Sequence, residues 1–560
     1  MASLATWFGR ATLALGLVVF STTTTGAQPP PKDNAKNRET LMIRALDSDA
    51  VDIQRTALIL LGEIGQTDPI GRRLAPQVIR LLKSSQDPMI QAEGVMTLGK
   101  INAKITDALP VFSAVLKTSN AEVRLAAVKG LRDFLRGAGL SVRPVPNEVL
   151  SFGLLPPIGD IAWLRQYGAY ADLVEASVSG LPIAARACND ADPKVRMVAL
   201  DSIQQTALDM QRLLPNLVRD LANNTVKSVQ LEETSFRWSQ LVPVEIALAK
   251  TLPSLNEALR SSDLTERLKA ARVLEHIGIV ERRSAILGEL LDKYRHEAPV
   301  EELPPMFEGL EARLVRYERL TRQVEGDENT PVSVPRNPNR QLRELRDTLA
   351  ANRQLADDSS SYVRQAYVNT IETLDADALP LLGILLKMSN DPVVYVRWTA
   401  IRTLGKVAPE APESIVPRLG LIISRELDLD VRVAAMVALE QFGEKGQGAL
   451  EAVIGASKRG DAEARLEALE AIEKMSAAPE AILPALTRAL LTPDESVQSL
   501  AKVRLTAAQV LYRMGDKARA AVPQLTEALR DKDPEVRRLA AQTILAIGRT
   551  SPRLNAKEGQ

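Results

Sequence analysis

From Val431, apolar or small side chains fall at Ala434, Ala435, Ala438, Leu439 and Phe442. These offsets of 3, 4, 7, 8 and 11 form one stripe on an α-helix, because its 3.6-residue turn brings those positions to a single face. The same offsets return from Val396 (Thr399, Ala400, Thr403, Leu404, Val407), from Val536 (Leu539, Ala540, Thr543, Ile544, Ile547) and from Val123 (Ala126, Ala127, Gly130, Leu131, Phe134). Four copies of one spacing predict a repeated amphipathic helix. Each copy opens on a turn with Asp, often Asp-Pro, and carries Arg directly after the first apolar residue. The openings read Asp533-Pro534-Glu535-Val536-Arg537, Asp192-Pro193-Lys194-Val195-Arg196 and Asp430-Val431-Arg432, with a looser Asp391-Pro392 before Val396-Arg397. Asp can cap the unpaired amides of the coming helix, Pro suits its first turn, and Gly near the end, as at Gly405, Gly443 and Gly548, lets the chain leave.

Upstream of each such helix lies another apolar segment with Pro after an apolar residue: Leu109-Pro110, Leu252-Pro253, Leu379-Pro380, Val416-Pro417, Leu483-Pro484 and Val522-Pro523. Each unit is therefore expected to be a helical hairpin. Arg364, Arg397, Arg432, Arg465, Arg504 and Arg537 are separated by 33, 35, 33, 39 and 33 residues, a period that a stacked array explains. The Pro in the first helix, the Asp turn, the Val-Arg opening and the small-residue second helix resemble the HEAT family, including its lyase-type variants, over most of residues 39–550. The resemblance implies an all-α fold, a right-handed armadillo-type α-solenoid of stacked hairpins. It also implies a ladder of Asp and Arg between neighbouring repeats, drawn from Asp192, Arg196, Arg397, Asp430, Arg432, Asp533 and Arg537, with Asp533 and Arg537 as the example pair.

The copies are uneven. Gln54 and Gln91 replace the early arginines, and Arg124, Arg196 and Arg267 are 72 and 71 residues apart, read as about two repeats each. A further 97 residues precede Arg364. The expected organisation is a signal peptide (1–27), a Pro-rich leader (28–38), N-terminal repeats (39–136), a Pro and aromatic insertion (137–180), degenerate repeats (181–323), a disordered connector (324–340) that would divide the solenoid into two arrays, C-terminal repeats (341–550) and a tail (551–560).

In the first segment Arg10 precedes an apolar run, Ala11 to Phe20, and small residues follow at Thr25-Gly26-Ala27. The run is about half the roughly 20 residues a spanning helix needs, so the expectation is export to the periplasm or beyond, with no membrane span after cleavage. A tether through an uncleaved segment is the alternative.

Composition then narrows the chemistry. Aromatics are only 4% of a chain that is 45% hydrophobic, which suits closely approaching helices with Ala, Leu, Val and Ile cores. Lys plus Arg equals Asp plus Glu at 70 each, so no net positive charge draws the chain to nucleic acid. One cysteine, Cys188, excludes an internal disulfide, and two histidines, His276 and His296, leave little for a zinc or iron centre. His276 reads as a packing or capping residue at a helix end, and Cys188 as a small buried residue before a turn. Pairs such as Asp357-Asp358 and Glu301-Glu302 read as solvated turns. No cofactor or metal is expected.

Against this background the aromatics that break the repeat stand out: Phe152, Trp163, Tyr167 and Tyr170 in the insertion, and Trp238 in the irregular stretch 223–250. They serve as partner anchors in one reading and plug a gap in another. The expected function is an exported scaffold binding a protein or peptide without catalysis. The alternative is a lyase- or isomerase-type enzyme with a cleft near the insertion.

Overall fold

Stripes of Ala, Leu, Val and Ile need a partner face, and the chain supplies it by stacking one hairpin on the next. The computed structural model describes residues 32–65, 68–101, 103–141, 161–214, 241–297, 339–407, 411–458, 461–475, 477–493 and 498–549. They are helical throughout, with short turns between, and fall into two compact units, Met1–Ala258 with Arg283–Pro338, and Leu259–Arg282 with Asn339–Gln560.

In the first unit the helices are α1 (Lys32–Leu46), α2 (Val51–Ile64), α3 (Ile70–Ser84), α4 (Pro88–Lys100), α5 (Ile105–Val115), α6 (Ala121–Ser141), α7 (Ile161–Ala187), α8 (Pro193–Leu213), α9 (241–249) and α10 (Leu252–Leu259), whose final residue begins the second unit. The first helices of the hairpins, α1, α3, α5 and α7, pack in one layer, and the second helices, α2, α4, α6 and α8, pack in another. Prolines sit inside the first helices, Pro76 in α3, Pro110 in α5 and Pro182 in α7. The stretch expected as an irregular insertion is, where described, helical: α6 runs to Ser141, and α7 begins at Ile161 and serves as the first helix paired with α8.

Helix α11 (Leu264–Glu297) follows, and the second unit continues with α12 (Asn339–Ala351), α13 (Ser361–Thr373), α14 (Leu382–Met388), α15 (Val394–Val407), α16 (Pro412–Arg425), α17 (Leu429–Glu440), α18 (Leu450–Lys458), α19 (Ala462–Lys474), α20 (Pro479–Leu490), α21 (Gln498–Met514), α22 (Val522–Ala528) and α23 (Pro534–Arg549). Again α13, α15, α17, α19, α21 and α23 make one layer, and α16, α18, α20 and α22 the other. The sequence stripe is the buried face: Val396, Thr399, Ala400, Thr403, Leu404 and Val407 of α15 are all buried. Thr403 tolerates burial because its hydroxyl donates to the Thr399 carbonyl one turn back.

Three second helices end in a tight 3-10 turn before the next hairpin, at Asp375–Leu381, Gly443–Ala449 and Gly515–Ala521. The first residue of each has positive φ, 52° at Asp375, 52° at Gly443 and 55° at Gly515. Glycine adopts that conformation without a Cβ clash, and aspartate is among the few side chains that tolerate it. Glycine is needed differently where α4 meets α6: a Cβ on Gly99 would lie 2.2 Å from the Gly130 carbonyl oxygen, and one on Gly130 would lie 2.3 Å from that of Val95. The two helices touch backbone to backbone.

Candidate functional site

Where the ladder is complete, the arginine that opens a second helix reaches in two directions. One guanidinium nitrogen braces its own turn: Nη1 of Arg364 donates to the Asp358 carbonyl at 2.7 Å, and Nη1 of Arg397 to that of Asp391 at 2.9 Å. The other edge grips the next repeat. Nε and Nη2 of Arg364 donate to the two carboxylate oxygens of Asp391 at 2.6 and 2.9 Å, and those of Arg397 to Glu426 at 3.0 Å each. Arg124 with Asp190, Arg267 with Asp358 and Arg504 with Asp531 repeat the two-pronged geometry. Such charge-assisted pairs fix orientation as well as proximity.

The acid of the ladder stands six residues before the next arginine, at Asp190, Asp358, Asp391, Glu426 and Asp531, and not at the Asp-Pro position. Asp192 and Asp533 instead cap their helices, accepting the amides of Lys194 at 2.7 Å and Glu535 at 2.8 Å. Asp428 does the same for Val431 at 3.2 Å, leaving Asp430 in the first turn of α17. The expected pairing of Asp533 with Arg537 is therefore corrected: Nη1 of Arg537 donates to the Asp531 and Lys532 carbonyls, as Nη1 of Arg196 donates to those of Asp190 and Ala191. A carboxylate two residues earlier wins because it can take its own turn's amide, as Asp391 takes that of Val393 at 2.9 Å, while facing the preceding repeat. Asp192→Ala should accordingly cost about 1 kcal/mol, the loss of a helix cap, and a melting curve should show the Arg124 rung intact.

Arg124 and Arg196 are thus neighbours in the ladder despite the 66 residues between Arg124 and Asp190, and so are Arg267 and Arg364, with 91 between Arg267 and Asp358. The gap from Arg124 to Arg196 therefore lengthens one repeat rather than holding two. Asp358, expected in a solvated turn, is a rung whose side chain is 7% exposed. Gln91 keeps the bracing half alone, donating to the Ser85 carbonyl at 3.2 Å. Burial pushes the Asp190 and Glu426 carboxyls up, yet in each the hydrogen bonds from an arginine and from its own turn outweigh it and hold the group below its ordinary value. Folded values below unfolded ones mean that these rungs stabilise at neutral pH and fade only as pH falls through the carboxylate range.

Of the sequence-selected anchors, Phe152 and Trp238 lie outside the described residues. Trp163, Tyr167 and Tyr170 lie on α7, with side chains outside the described set. Among the described residues the exposed aromatics are elsewhere. Tyr362 on α13 is 63% exposed and Tyr395 on α15 is 42% exposed. Each stands two residues before its ladder arginine, in adjacent repeats. Trp398 lies one turn beyond Tyr395, with ring centroids 5.8 Å apart, and the Arg402 guanidinium covers its ring at 4.2 Å from the centroid. Glu372 of α13 holds Arg402 and, at 2.8 Å, Lys406. This gives an aromatic shelf backed by a fixed ion-pair network, a surface suited to peptide side chains. The sequence reading missed it because these aromatics sit within regular repeats.

The remaining chemistry is sparse among the described residues. His276 lies inside α11, not at its end, and burial followed by the charges of Arg272 and Lys269 pushes its imidazole pKa down. Cys188 is buried in the turn after α7. Glu281 is buried, and burial together with the Glu344 charge holds its carboxyl well above the ordinary range. Glu440 on α17 and Glu467 and Glu470 on α19 bring carboxylate oxygens within 4.8 Å of one another. No described helix is long and apolar enough to cross a membrane.

Comparison with known proteins places the repeats. A family model of HEAT repeats matches residues 39–133 and 498–554, and a second HEAT repeat model matches residues 381–411. No curated protein matches the sequence. Among solved structures, an engineered protein is 15% identical, with 91% of this chain and 98% of that chain covered, at a TM-score of 0.41. Kap121p bound to RanGTP is 13% identical over 92% of this chain and 54% of its own length, at a TM-score of 0.32. Kap121p bound to Pho4p is 14% identical, with 93% and 54% covered, at 0.30. The chain thus spans about half the length of Kap121p. The matched repeats, the two helix layers and the arginine ladder make this chain a HEAT-repeat protein, an all-α solenoid.

Proposed function

We propose that this chain is an exported scaffold that holds a protein or peptide on the exposed side of its second helices and catalyses no reaction. The observation that carries the reading is the exposed pair Tyr362 and Tyr395, presented at equivalent places in successive repeats, with Trp398 packed one turn beyond Tyr395. A rigid stack offers long surface at low ordering cost, since each contact position is fixed before a partner arrives. Export rests on the N-terminal Arg10, the apolar run to Phe20 and the small residues ending at Ala27.

The test is cross-linking in cells followed by mass spectrometry on the intact protein and on the triple variant Tyr362→Ala, Tyr395→Ala, Trp398→Ala. Loss of a discrete cross-linked partner at unchanged melting temperature supports the reading. Retention of the same partner moves the site elsewhere, and Trp163→Ala with Tyr167→Ala and Tyr170→Ala is then the variant to make. Sequencing the N-terminus of the mature protein checks export: a chain starting after Ala27 agrees with it, and an intact Met1 in the cytosolic fraction overturns it.

A further inference from the structure

The ladder of the second unit is strong at both ends and weak in the middle. Arg267, Arg364, Arg397 and Arg504 each grip a carboxylate through two nitrogens. Arg432 meets Asp461 only at 3.7 Å, and that aspartate side chain is 66% exposed, against 4% for Asp391. The next arginine, Arg465, meets no carboxylate among the described residues and donates to the Thr492 hydroxyl at 2.6 Å. The hairpin of α18 and α19 is therefore loosely tied on both sides. It is also entered through the turn Gly443–Ala449, which contains Gly443, Gly446 and Gly448, whereas the equivalent turns hold one glycine or none. Ion pairs, hydroxyl contacts and backbone freedom all point to the same repeat.

At the α17 side of that hairpin lie Glu440, Glu467 and Glu470. We infer that the α18–α19 repeat is a pH-gated joint of the solenoid, closed while a proton bridges Glu440 and Glu467 and loosened when that proton leaves. Glu440 Oε1 is buried and accepts no hydrogen bond, and the Glu467 carboxylate stands within 4.8 Å of it, so a proton held between the two carboxyls would satisfy that oxygen. Losing that proton leaves three anions within 4.8 Å across two helices that no strong rung holds together.

The pH range follows from the surroundings. Burial first, then the charges of Glu440 and Glu470, push Glu467 up to about 7, and burial followed by the Glu470 charge raises Glu440. On α19 itself Glu463 adds repulsion at Glu467, while at Glu440 Glu473 repels and Lys474 attracts. Of the charged side chains on the packed elements, Arg402 and Lys406 of α15 are engaged by Glu372, and Arg513 of α21 by Glu473. The glycine turn adds Glu444 and Lys445, and α18 adds Glu451 and Lys458. A folded value above the ordinary one means that the closed joint is fully favoured below the unfolded carboxyl value and that this preference is lost as pH rises through about 7.

The test places a donor and an acceptor dye on Ser424→Cys of α16 and Thr526→Cys of α22, both exposed, in the full chain with Cys188→Ser. Single-molecule energy transfer is read from about pH 5.5 to about pH 8.5, a span bracketing the neutral range. The expected result is a broadening and shift of the distance distribution with a midpoint near 7. Glu467→Gln, which can donate to Glu440 without titrating, should keep the low-pH distribution throughout, and Thr492→Asp, which restores a charged rung, should narrow it at high pH. A native chain whose distribution does not change with pH, or a Glu467→Gln chain that titrates as the native one does, overturns the inference.

Discussion

Replacing Arg364 with alanine should cost about 3–5 kcal/mol, the range for removing one partner of a buried ion pair. The arginine side chain is 10% and the Asp391 side chain 4% exposed, so the aspartate would be left charged, dry and holding only its own turn. Urea denaturation followed by circular dichroism should show the loss, with hydrogen exchange rising first in α13 and α15. Arg432→Ala is the contrast: its pair is 3.7 Å long and solvent-exposed on the acid side, and should contribute about 0–1 kcal/mol. Equal losses at the two positions would overturn the assignment of the effect to the buried rung. Arg364→Met combined with Asp391→Leu should recover much of the single-variant loss, because two apolar groups leave no stranded charge.

Gly99→Val should be the most damaging single substitution in the first unit. A Cβ there would stand 2.2 Å from the Gly130 oxygen, and the obstacle is backbone, which cannot rotate aside as a side chain would. The helices α4 and α6 must separate, opening gaps between Leu98, Val95 and Leu131, all fully buried. Overpacking of this kind costs about 1–3 kcal/mol and more where the neighbour is rigid. Gly383→Ala, whose Cβ meets nothing within 4 Å, is the control and should stabilise α14 slightly. A denaturation midpoint for Gly99→Val within error of native would mean that the two helices can slide apart at little cost.

Much of the fold was legible because its determinants are local. A stripe at 3, 4, 7, 8 and 11, a capping Asp and an Arg at one fixed place recur within some 35 residues, and helix packing leaves few other ways to bury them. The ladder was half legible. Several turns hold two acidic residues, at six and four before the arginine, and only the three-dimensional turn shows that Asp531 faces the neighbour while Asp533 faces its own helix. Repeat number was misjudged between Arg124 and Arg196 because spacing along the chain does not distinguish two repeats from one with a long excursion, as the Arg124 and Asp190 rung shows. The candidate site was hidden for the opposite reason. Tyr362 immediately precedes the buried Val363, so its exposure follows from helical phase, but nothing in composition marks it against aromatics that break the pattern.

The unequal rungs also bear on how the chain reaches its native state. The partners Arg364 and Asp391, Arg397 and Glu426, and Arg504 and Asp531 are 27 to 29 residues apart, while Arg267 and Asp358 are 91 apart. Loop-closure entropy makes the long pairing about 1 kcal/mol harder than a short one before any contact compensates it. The hairpins after Ser361 are thus the natural nucleus, the repeat containing Arg267 docks onto them late, and a nascent chain acquires a stable second unit only once its last repeats have left the ribosome.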